Sequence, residues 1–250
     1  MTMTENARLT VKLARSEEEL ERVFRLRYEV FVEEGNATGL SRSSRMEQDR
    51  FDPVCDHLMV RKEPEGEVVG TYRLLPGDRA MQHGGFYSET EFDLGAFRTK
   101  MPETLELGRS CVAEGYRDGR VIRMLWSGIA DYLRMNGYRY LIGCANLYPD
   151  GMESLNRLYT HLCQTGVLTQ EYGIHPHSDH RIPRLSLLSE LPDEKEIMRI
   201  LPPLMKGYRW LGAKIGGDPA YDPNFGSYDF FVILHNANVM KKYRSRFLNR

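Results

Sequence analysis

The chain has 250 residues, of which 41% are hydrophobic and 28% are charged, and its formal net charge is -1. This is the composition of a soluble globular protein that can bury a core as one large domain, and it offers no overall basic surface for nucleic acid. The four cysteines form no C-x-x-C pair, which favours free thiols and a reducing cytoplasm over disulfides or zinc.

The N-terminal part of the chain predicts a strand followed by a helix. Residues 1–6 show neither the basic nor the apolar region of a signal peptide, and no stretch reaches the ~18 apolar residues of a membrane span. We therefore expect neither export nor membrane insertion. Residues 9–13 alternate as in a strand, and residues 16–19 (SEEE) form a capping box that opens a helix to about residue 34. Arg27 falls in the apolar stripe of this helix, where it either snorkels to solvent or meets a buried carboxylate or anion.

The middle of the chain predicts a hairpin and then a charged core strand. A polar loop over residues 35–48 precedes two strands, 57–62 and 68–75, which are joined by good turn chemistry. The next strand, residues 106–112 (ELGRSCV), carries a carboxylate and a guanidinium inside an otherwise apolar segment. Its Gly108 favours a β-bulge that re-aims one of these side chains.

A strand, a basic turn and a helix follow one another at this point. The turn is residues 114–120 (EGYRDGR), and the apolar helix runs from residue 121 to Gly137. Such a turn can cradle an anion at the start of a helix, although a plain turn is the alternative. An apolar strand at 138–145 and a helix at 152–164 come next.

The C-terminal part is richer in proline and completes the predicted domain. Residues 204–211 fit either a helix docked on the core or contact with a membrane surface. Residues 218–226 read as a loop and 228–234 as a final strand. We predict an α/β (α+β) fold with a mixed, mostly antiparallel sheet flanked by helices, in which residues 1–170 form the core and residues 171–250 an extension that completes the same domain.

Several runs of sequence resemble one known superfamily. The runs that resemble acyl-homoserine lactone synthases, in the order those enzymes carry them, are 26–31 (LRYEVF), 49–52 (DRFD), 70–76 (GTYRLLP) and 106–109 (ELGR). Residues 203–230 instead look like the ornithine-lipid branch of the same superfamily, the L-ornithine N-acyltransferases often labelled haemolysin-like. Lactone synthases usually carry a tryptophan shortly after the position of Phe31, and this chain reads EEGN at 33–36.

The resemblance implies a Gcn5-related N-acetyltransferase-like fold and an N-acyltransferase. It implies transfer of a 3-hydroxyacyl group from acyl carrier protein to the α-amine of L-ornithine, which gives lyso-ornithine lipid. The donor is then the acyl-phosphopantetheine of the carrier protein, with no other cofactor and no metal. The histidine-rich run 175–180 (HPHSDH) fits a surface turn better than a metal site. We expect a cytoplasmic protein, with peripheral contact at the inner membrane where the lipid product leaves.

The resemblance also implies roles for individual residues. Glu106 on a partly buried strand can act as the base that deprotonates the amine, and backbone N–H groups near the bulge can meet the thioester oxyanion. The implied catalytic group is Glu106, Arg109, Ser110 and Val112. The implied substrate-binding group is Asp49 and Asp52 for the amines, Arg27, Arg73 or Arg109 for the carboxylate, and Phe31. The implied donor-binding group, which also offers a docking face for an acidic carrier protein, is Arg117, Gly119, Arg120 and Arg123.

Other interpretations remain open from the sequence. Glu106 and Arg109 can form a structural ion pair with Arg73 or Asp49, and residues 117–123 can be a solvated basic face. The enzyme alternatives are an acyl-homoserine lactone synthase and a long-chain N-acyl amino acid synthase. The alternative of another class is a non-catalytic carrier-binding or membrane-associated protein.

Overall fold

The structure is a computed structural model that describes residues 8–35, 37–40 and 43–243. Ser16 caps the first helix by accepting the backbone N–H of Glu19, and the helix continues as a π-helical segment over Glu29–Glu34. The helices are α1 (Glu17–Tyr28), α2 (Gly77–Gln82), α3 (Arg120–Asn136), α4 (Gly151–Gln164), α5 (Glu194–Ile200), α6 (Pro203–Leu211) and α7 (Asn236–Tyr243). The strands are β1 (Arg8–Leu13), β2 (Asp56–Glu63), β3 (Glu67–Pro76), β4 (Phe92–Asp93), β5 (Thr104–Val112), β6 (Tyr140–Leu147), β7 (Leu168–Thr169), β8 (His175–Pro176), β9 (Lys214–Gly216), β10 (Ala220–Asp222) and β11 (Ser227–His235).

One mixed sheet organises the part of the chain that the structure describes. Its strand order is β1-β2-β3-β5-β6-β11-β9-β7, and β10 pairs with β11 off this path. The pairs β5–β6 and β7–β9 are parallel, and the other pairs in this sheet are antiparallel. Strands β4 and β8 form a separate antiparallel pair. The predicted mixed, mostly antiparallel sheet with flanking helices is confirmed.

The two faces of the sheet are covered differently, because side chains alternate along a strand. On β3, Tyr72 and Leu74 face α3 and join the larger apolar core with Leu125 of that helix. Arg73 and Leu75 point to the other face. That face is covered by α1 and by the irregular segment between α2 and β5, whose Phe86, Phe92 and Phe97 pack against Leu75, Ile142 and Phe231. The polar residues described below lie on this second face.

The C-terminal part of the chain supplies strands to the same sheet. β11 pairs with the whole of β6, from Tyr228 opposite Leu147 to His235 opposite Tyr140. The predicted loop at 218–226 is partly wrong, because residues 220–222 form β10 and pair with β11. Of the predicted loop at 35–48, residues 36, 41 and 42 lie outside the described residues.

Candidate active site

A cleft opens where β5 and β6 separate. These parallel strands pair only from Thr104 opposite Tyr140 to Glu106 opposite Ile142, although both strands continue beyond that point. Gly143 allows the close approach at the junction, because a Cβ there would lie 2.3 Å from the carbonyl oxygen of Leu107. Beyond the junction, the backbone of β5 is not paired with β6 and faces the cleft.

The predicted β-bulge is present on β5. Thr71 pairs with Cys111 and Arg73 with Gly108, so Tyr72 of β3 lies opposite two residues instead of one. Those two residues are Arg109 and Ser110, and Arg109 has a φ of 51°. A positive φ is unusual for a residue other than glycine. The bulge turns Arg109 to the same face of the sheet as Arg73.

Four neighbouring strands place polar side chains on that one face. The register that does this pairs Arg73 with Gly108, Leu75 with Glu106, Glu106 with Ile142, and Asn146 with Asp229. Because alternate residues of a strand share a face, this face carries, besides Arg109, the polar residues Arg73, Glu106, Cys144, Asn146 and Asp229.

Glu106 is held by backbone groups from the segment before β4. Its carboxylate oxygens accept the N–H of Tyr87 at 2.7 Å and the N–H of Ser88 at 2.8 Å. The side chain is buried, and burial raises the pKa of Glu106 against the opposing effect of these hydrogen bonds. A carboxylate in this position is fixed in orientation and has more affinity for a proton than an exposed one.

Arg27 lies at the base of a buried ion network. It is 0% exposed, and it binds the two carboxylate oxygens of Asp52 at 2.8 and 3.1 Å. It also contacts Glu47, which lies near the end of the predicted loop and is itself buried. Of the two interpretations from the sequence, Arg27 therefore meets buried carboxylates and does not snorkel.

Arg73 and Arg109 complete the network toward the cleft. Arg73 donates to Asp49 at 2.7 Å and to Asp52 at 3.2 Å. Arg109 donates to Asp49 at 2.8 Å and to Glu47 at 3.1 Å. Three guanidiniums thus face three carboxylates.

The network keeps Asp49 and Asp52 ionised. Burial raises the pKa of Asp52, but the guanidiniums of Arg27 and Arg73 outweigh it and hold the pKa below its usual range. The pKa of Asp49 is lowered against burial by Arg73 and Arg109 in the same way. Both aspartates are therefore already paired with arginines, and their assignment to the substrate amines stays a prediction.

Two cavities share the cleft. The smaller one, about 30 Å³, is polar and is lined by Arg73, Tyr87, Glu106, Asn146 and Asp229 among others. The larger one, about 310 Å³, is lined mainly by apolar and aromatic side chains from the π-helical segment after α1 and from β3, β5, β6 and α6. The walls that the two cavities have in common are Leu107, Gly108, Arg109, Cys144, Asn146 and Phe225.

Aromatic rings enclose the arginine at the junction of the cavities. The guanidinium carbon of Arg109 lies 4.5 Å from the ring centre of Tyr87 and 5.2 Å from that of Phe225. Phe31 stacks edge-on against Phe225 at 5.6 Å and lines the larger cavity. Cation–π contacts of this kind hold a guanidinium in place. Neither Tyr87 nor Phe225 was predicted from the sequence as a site residue.

The remaining predicted site residues lie around the larger cavity or on the surface beside it. Ser110 lines that cavity, whereas Val112 accepts a hydrogen bond from Arg117 through its carbonyl oxygen at 2.9 Å. Gly119, with a φ of 89°, precedes α3. The side chains of Arg117, Arg120 and Arg123 are exposed and line neither cavity. The N–H of Arg120 is already bonded to Asp118 at 2.8 Å.

A second group of buried carboxylates was not predicted from the sequence. Glu91, Asp222 and Asp229 are 2%, 1% and 1% exposed. Burial, together with the charges of Asp229 and Asp222, raises the pKa of Glu91. Asp229 interrupts an apolar strand just as Glu106 does, and that signal could have identified it.

Two further sequence expectations concern histidines and membrane spans. In the histidine-rich run, the rings of His177 and His180 contact the carbonyl oxygens of Glu89 and Tyr221. Of the helices in the described ranges, none combines the length and the apolar character needed to cross a bilayer.

Comparison with known proteins identifies the family. Residues 26–127 match the family model described as an acetyltransferase (GNAT) domain. The chain is 33% identical over 248 residues to an L-ornithine N(alpha)-acyltransferase of Rhodobacter capsulatus, with 96% of this chain and 95% of that protein covered. It is 34% identical over 250 residues to the L-ornithine N(alpha)-acyltransferase of Brucella abortus, with 95% and 88% covered.

Solved structures share the fold at much lower identity. The CoA-dependent acyl-homoserine lactone synthase MesI superposes with a TM-score of 0.55 at 16% identity, over 95% of both chains. FeeM, an N-acyl amino acid synthase from uncultured soil microbes, gives 0.52 at 10% identity, over 94% of this chain and 95% of that one. These likenesses support the fold, and the sequence relatives support the activity. The chain therefore belongs to the L-ornithine N(alpha)-acyltransferase family and is an N-acyltransferase on the GNAT fold.

Proposed function

We propose that the protein transfers a 3-hydroxyacyl group from acyl carrier protein to the α-amine of L-ornithine, forming lyso-ornithine lipid. The observation that carries this proposal is the position of Glu106. It is a buried carboxylate with a raised pKa that lines the polar cavity, and the next residue of β5, Leu107, is a wall that this cavity shares with the larger apolar one. A base between an amine site and an acyl site is what amide formation from a thioester requires.

The acceptor is proposed from the relatives and from the charges of the polar cavity. Both relatives are named for L-ornithine. An amino acid needs both signs of charge around it, and this cavity is lined by Arg73 and Arg109 as well as by Glu106 and Asp229. The two guanidiniums are rigidly held by their carboxylate partners, so they can orient a substrate carboxylate with little loss of entropy.

The chemical step follows from this placement. Glu106 takes one proton from the α-ammonium, and the free amine attacks the thioester carbonyl. Backbone N–H groups of the bulged stretch of β5 support the oxyanion of the tetrahedral intermediate. When this intermediate collapses, the new C–N bond remains and the C–S bond breaks. The departing thiol of phosphopantetheine takes the second proton of the amine.

The donor is proposed from the shape of the larger cavity and the charge beside it. A cavity of about 310 Å³ with apolar and aromatic walls suits an acyl chain and its pantetheine arm. At the start of α3, the carboxylate of Asp118 already accepts the first N–H, where a coenzyme pyrophosphate would otherwise bind. The exposed guanidiniums of Arg117, Arg120 and Arg123 favour instead an acidic carrier protein that presents the arm.

Release of the product is proposed to occur toward a membrane surface from the cytoplasmic side. Leu204 and Met205 of α6 line the larger cavity, and Trp210 of the same helix is 43% exposed. A lipid product in that cavity therefore borders a helix that presents an aromatic side chain to the outside. Peripheral contact of α6 with a bilayer would give the acyl chain an apolar exit.

The direct test is mass spectrometry of the product. Purified protein is given 3-hydroxyacyl carrier protein together with an equimolar mixture of amino acids and S-adenosylmethionine. Parallel reactions replace the donor by the same acyl group on coenzyme A. We expect N-acylated ornithine as the main product, with the carrier-protein donor preferred.

The other outcomes are informative. An acyl-homoserine lactone, or an acylated amino acid other than ornithine, would contradict the proposed acceptor and leave the acyl transfer standing. An equal rate with coenzyme A would contradict the proposed donor. A lack of any acylated product, with folded protein and intact donor, would overturn the proposed reaction.

A further inference from the structure

The carboxylates Glu91, Asp222 and Asp229 form an acidic cluster on the substrate-facing side of the sheet. Asp222 of β10 and Asp229 of β11 come from paired strands, in which Ala220 lies opposite Asp229. Glu91 comes from the segment that crosses over this face just before β4. The nearest side-chain atoms of Glu91 and Asp229 and the sulfur of Cys144 lie within 4.8 Å of one another.

This acidic cluster contains carboxylate oxygens without partners. Among the described residues, neither oxygen of Glu91 meets the geometry of a hydrogen bond, although the side chains of Tyr87 and Asp229 act on its pKa, and Oδ2 of Asp222 has no partner. Arg109 is the cation that acts on the pKa of Glu91, but it already donates to Glu47 and Asp49. Buried charge is normally paired, because leaving it unpaired is costly. A buried acidic group that lacks a hydrogen-bond donor and adjoins Asp229 of the small cavity therefore points to a cationic group that arrives from outside.

The cluster lies beside the proposed reaction centre. Asp229 and Cys144 line the same small cavity as Glu106. Glu106 pairs with Ile142 on β6, and Cys144 follows Ile142 on the same face. One such same-face step along a strand is about 6.6 Å and paired strands are about 4.8 Å apart, so the Cα atoms of Glu106 and Cys144 are roughly 8 Å apart. This separation is within reach of an amino acid that has its α-amine at Glu106 and a second amine at the end of three methylene groups. The cavity itself, about 30 Å³, has room for a group of the size of water.

We propose that the acidic cluster of Glu91, Asp222 and Asp229 binds the side-chain ammonium of a diamino acid and so selects the acceptor. This inference rests on the proposed function, because it assumes that the α-amine reacts at Glu106. It gives the second amine a binding site other than Asp49 and Asp52, whose oxygens are engaged by Arg27, Arg73 and Arg109.

An ammonium fits this site better than a metal ion. Asp229 already accepts the amide of Asn146 at 2.9 and 3.1 Å, and its Oδ1 also accepts the hydroxyl of Ser227 at 2.8 Å. Burial and the charges of Glu91 and Asp229 raise the pKa of Cys144 well above its usual value, so it is a neutral thiol. Metals bind the thiolate. An ammonium instead needs only acceptors, and it can take the free oxygens of Glu91 and Asp222.

The test compares ornithine with norvaline, which has the same carbon chain but lacks the terminal amine. Steady-state kinetics are measured for the wild type, Glu91→Gln and Asp229→Asn, with Asp93→Asn as the matched control. Asp93 lies on the same segment as Glu91, and its side chain is exposed. Its Oδ1 accepts the N–H of Gly95, and asparagine retains this oxygen. All buffers contain EDTA, and melting temperatures with and without each amino acid are recorded.

We expect the wild type and Asp93→Asn to prefer ornithine strongly. In Glu91→Gln, the ratio of kcat/KM for ornithine to that for norvaline should fall by about 10- to 100-fold, through a higher KM for ornithine, because an ionic hydrogen bond is lost. Ornithine should raise the melting temperature of the wild type and fail to raise that of the variant. A change in the ratio is not expected of a residue that only supports the fold.

The outcomes separate this inference from the proposed function. If the wild type acylates ornithine but folded Glu91→Gln and Asp229→Asn keep the full preference, the acidic cluster is not the ammonium site. If no amino acid is acylated but ornithine still stabilises the wild type and not Glu91→Gln, the proposed reaction fails and the binding site stands. If ornithine has no effect until a divalent metal replaces EDTA, the cluster is a metal site and the inference is overturned.

Discussion

Tyr87 donates its backbone N–H to the carboxylate of Glu106 at 2.7 Å, although 19 residues separate the two in the sequence. The N–H of Ser88 bonds the other carboxylate oxygen at 2.8 Å. These bonds fix the orientation of Glu106, and each oxygen keeps acceptor capacity for a proton or a substrate amine. Because burial raises the pKa of the group at the same time, Glu106 has the properties expected of a positioned base.

Replacing Glu106 with Gln should lower kcat by about 10²- to 10⁴-fold, because the proton acceptor is removed. A glutamine amide accepts only one of the two N–H groups, so the variant also loses stability and must be assayed below its melting temperature. The control is Glu103→Gln. Glu103 lies just before β5 in an exposed ion pair with Arg139, and the variant should keep the activity of the wild type. A Glu106→Gln enzyme with normal turnover would exclude Glu106 as the base.

Removing the charge of Glu91 should stabilise the empty protein. Burial and the neighbouring carboxylates raise the pKa of Glu91 to about 9 from its usual 4.5. The groups that face or act on it are Asp229, Asp222, Tyr87, Cys144 and Arg109. Since the folded-state pKa lies above the unfolded one, the folded protein binds more protons, and stability falls as pH rises from about 5 toward 9.

Glu91→Gln should therefore unfold with a free energy about 1 to 3 kcal/mol higher than the wild type near pH 8, and the difference should shrink toward pH 5. Urea unfolding at several pH values measures this, with Asp93→Asn as the reference variant. A destabilised Glu91→Gln protein would show that Glu91 supports the fold.

Breaking the buried ion network should be far more harmful than breaking a surface pair on the same helix. Arg27→Met removes one of the two guanidiniums that Glu47 and Asp52 each contact, so that three carboxylates face only two arginines, which should lower the free energy of unfolding by about 3 to 5 kcal/mol. Arg25→Met removes an exposed ion pair with Glu21 and should change it by less than about 0.5 kcal/mol. Equal losses in the two variants would contradict the role of the network.

The sequence predicted those parts of the site that depend on local pattern. Charge inside an apolar strand singled out Glu106 and Arg109, and an apolar helical stripe singled out Arg27, for which the sequence left snorkelling and a buried partner both open. The cap at Ser16 and the glycine at 137 marked helix ends, because capping depends on neighbouring residues.

The parts that the sequence did not predict depend on contacts between distant segments. Glu47 and Glu91 lie in or beside irregular stretches, and only the folded chain brings them to Arg27 and Asp229. The short strand β10 is flanked by turn residues, so its Asp222 read as part of a loop. The positive φ of Arg109 and the approach of Gly143 to Leu107 depend on how two strands meet.

Gly143 should be intolerant of a side chain. A Cβ there would lie 2.3 Å from the carbonyl oxygen of Leu107, so Gly143→Ala must push β5 and β6 apart at the junction of the cleft. We expect a loss of about 1 to 3 kcal/mol in stability and a marked loss of activity. Gly207→Ala in α6 is the control, because no atom lies within 4 Å of its added Cβ and alanine favours the helix. Full activity in Gly143→Ala would show that the junction is not required.

The exposed arginines at the start of α3 should affect binding of the acyl donor and not binding of the acceptor, and steady-state kinetics can measure the two effects separately. Reversing the charges of Arg120 and Arg123 should raise the KM for acyl carrier protein by roughly tenfold and leave the KM for ornithine unchanged, because the acidic partner is repelled while the cavities stay intact. The charge reversal Arg134→Glu near the other end of α3 is the control, since this exposed side chain pairs only with its neighbour Asp131 among the described residues. The wild-type KM for the carrier should also rise with salt, and that dependence should weaken in the double variant. If both variants behave alike, the carrier protein docks elsewhere, and the arginines form a solvated face.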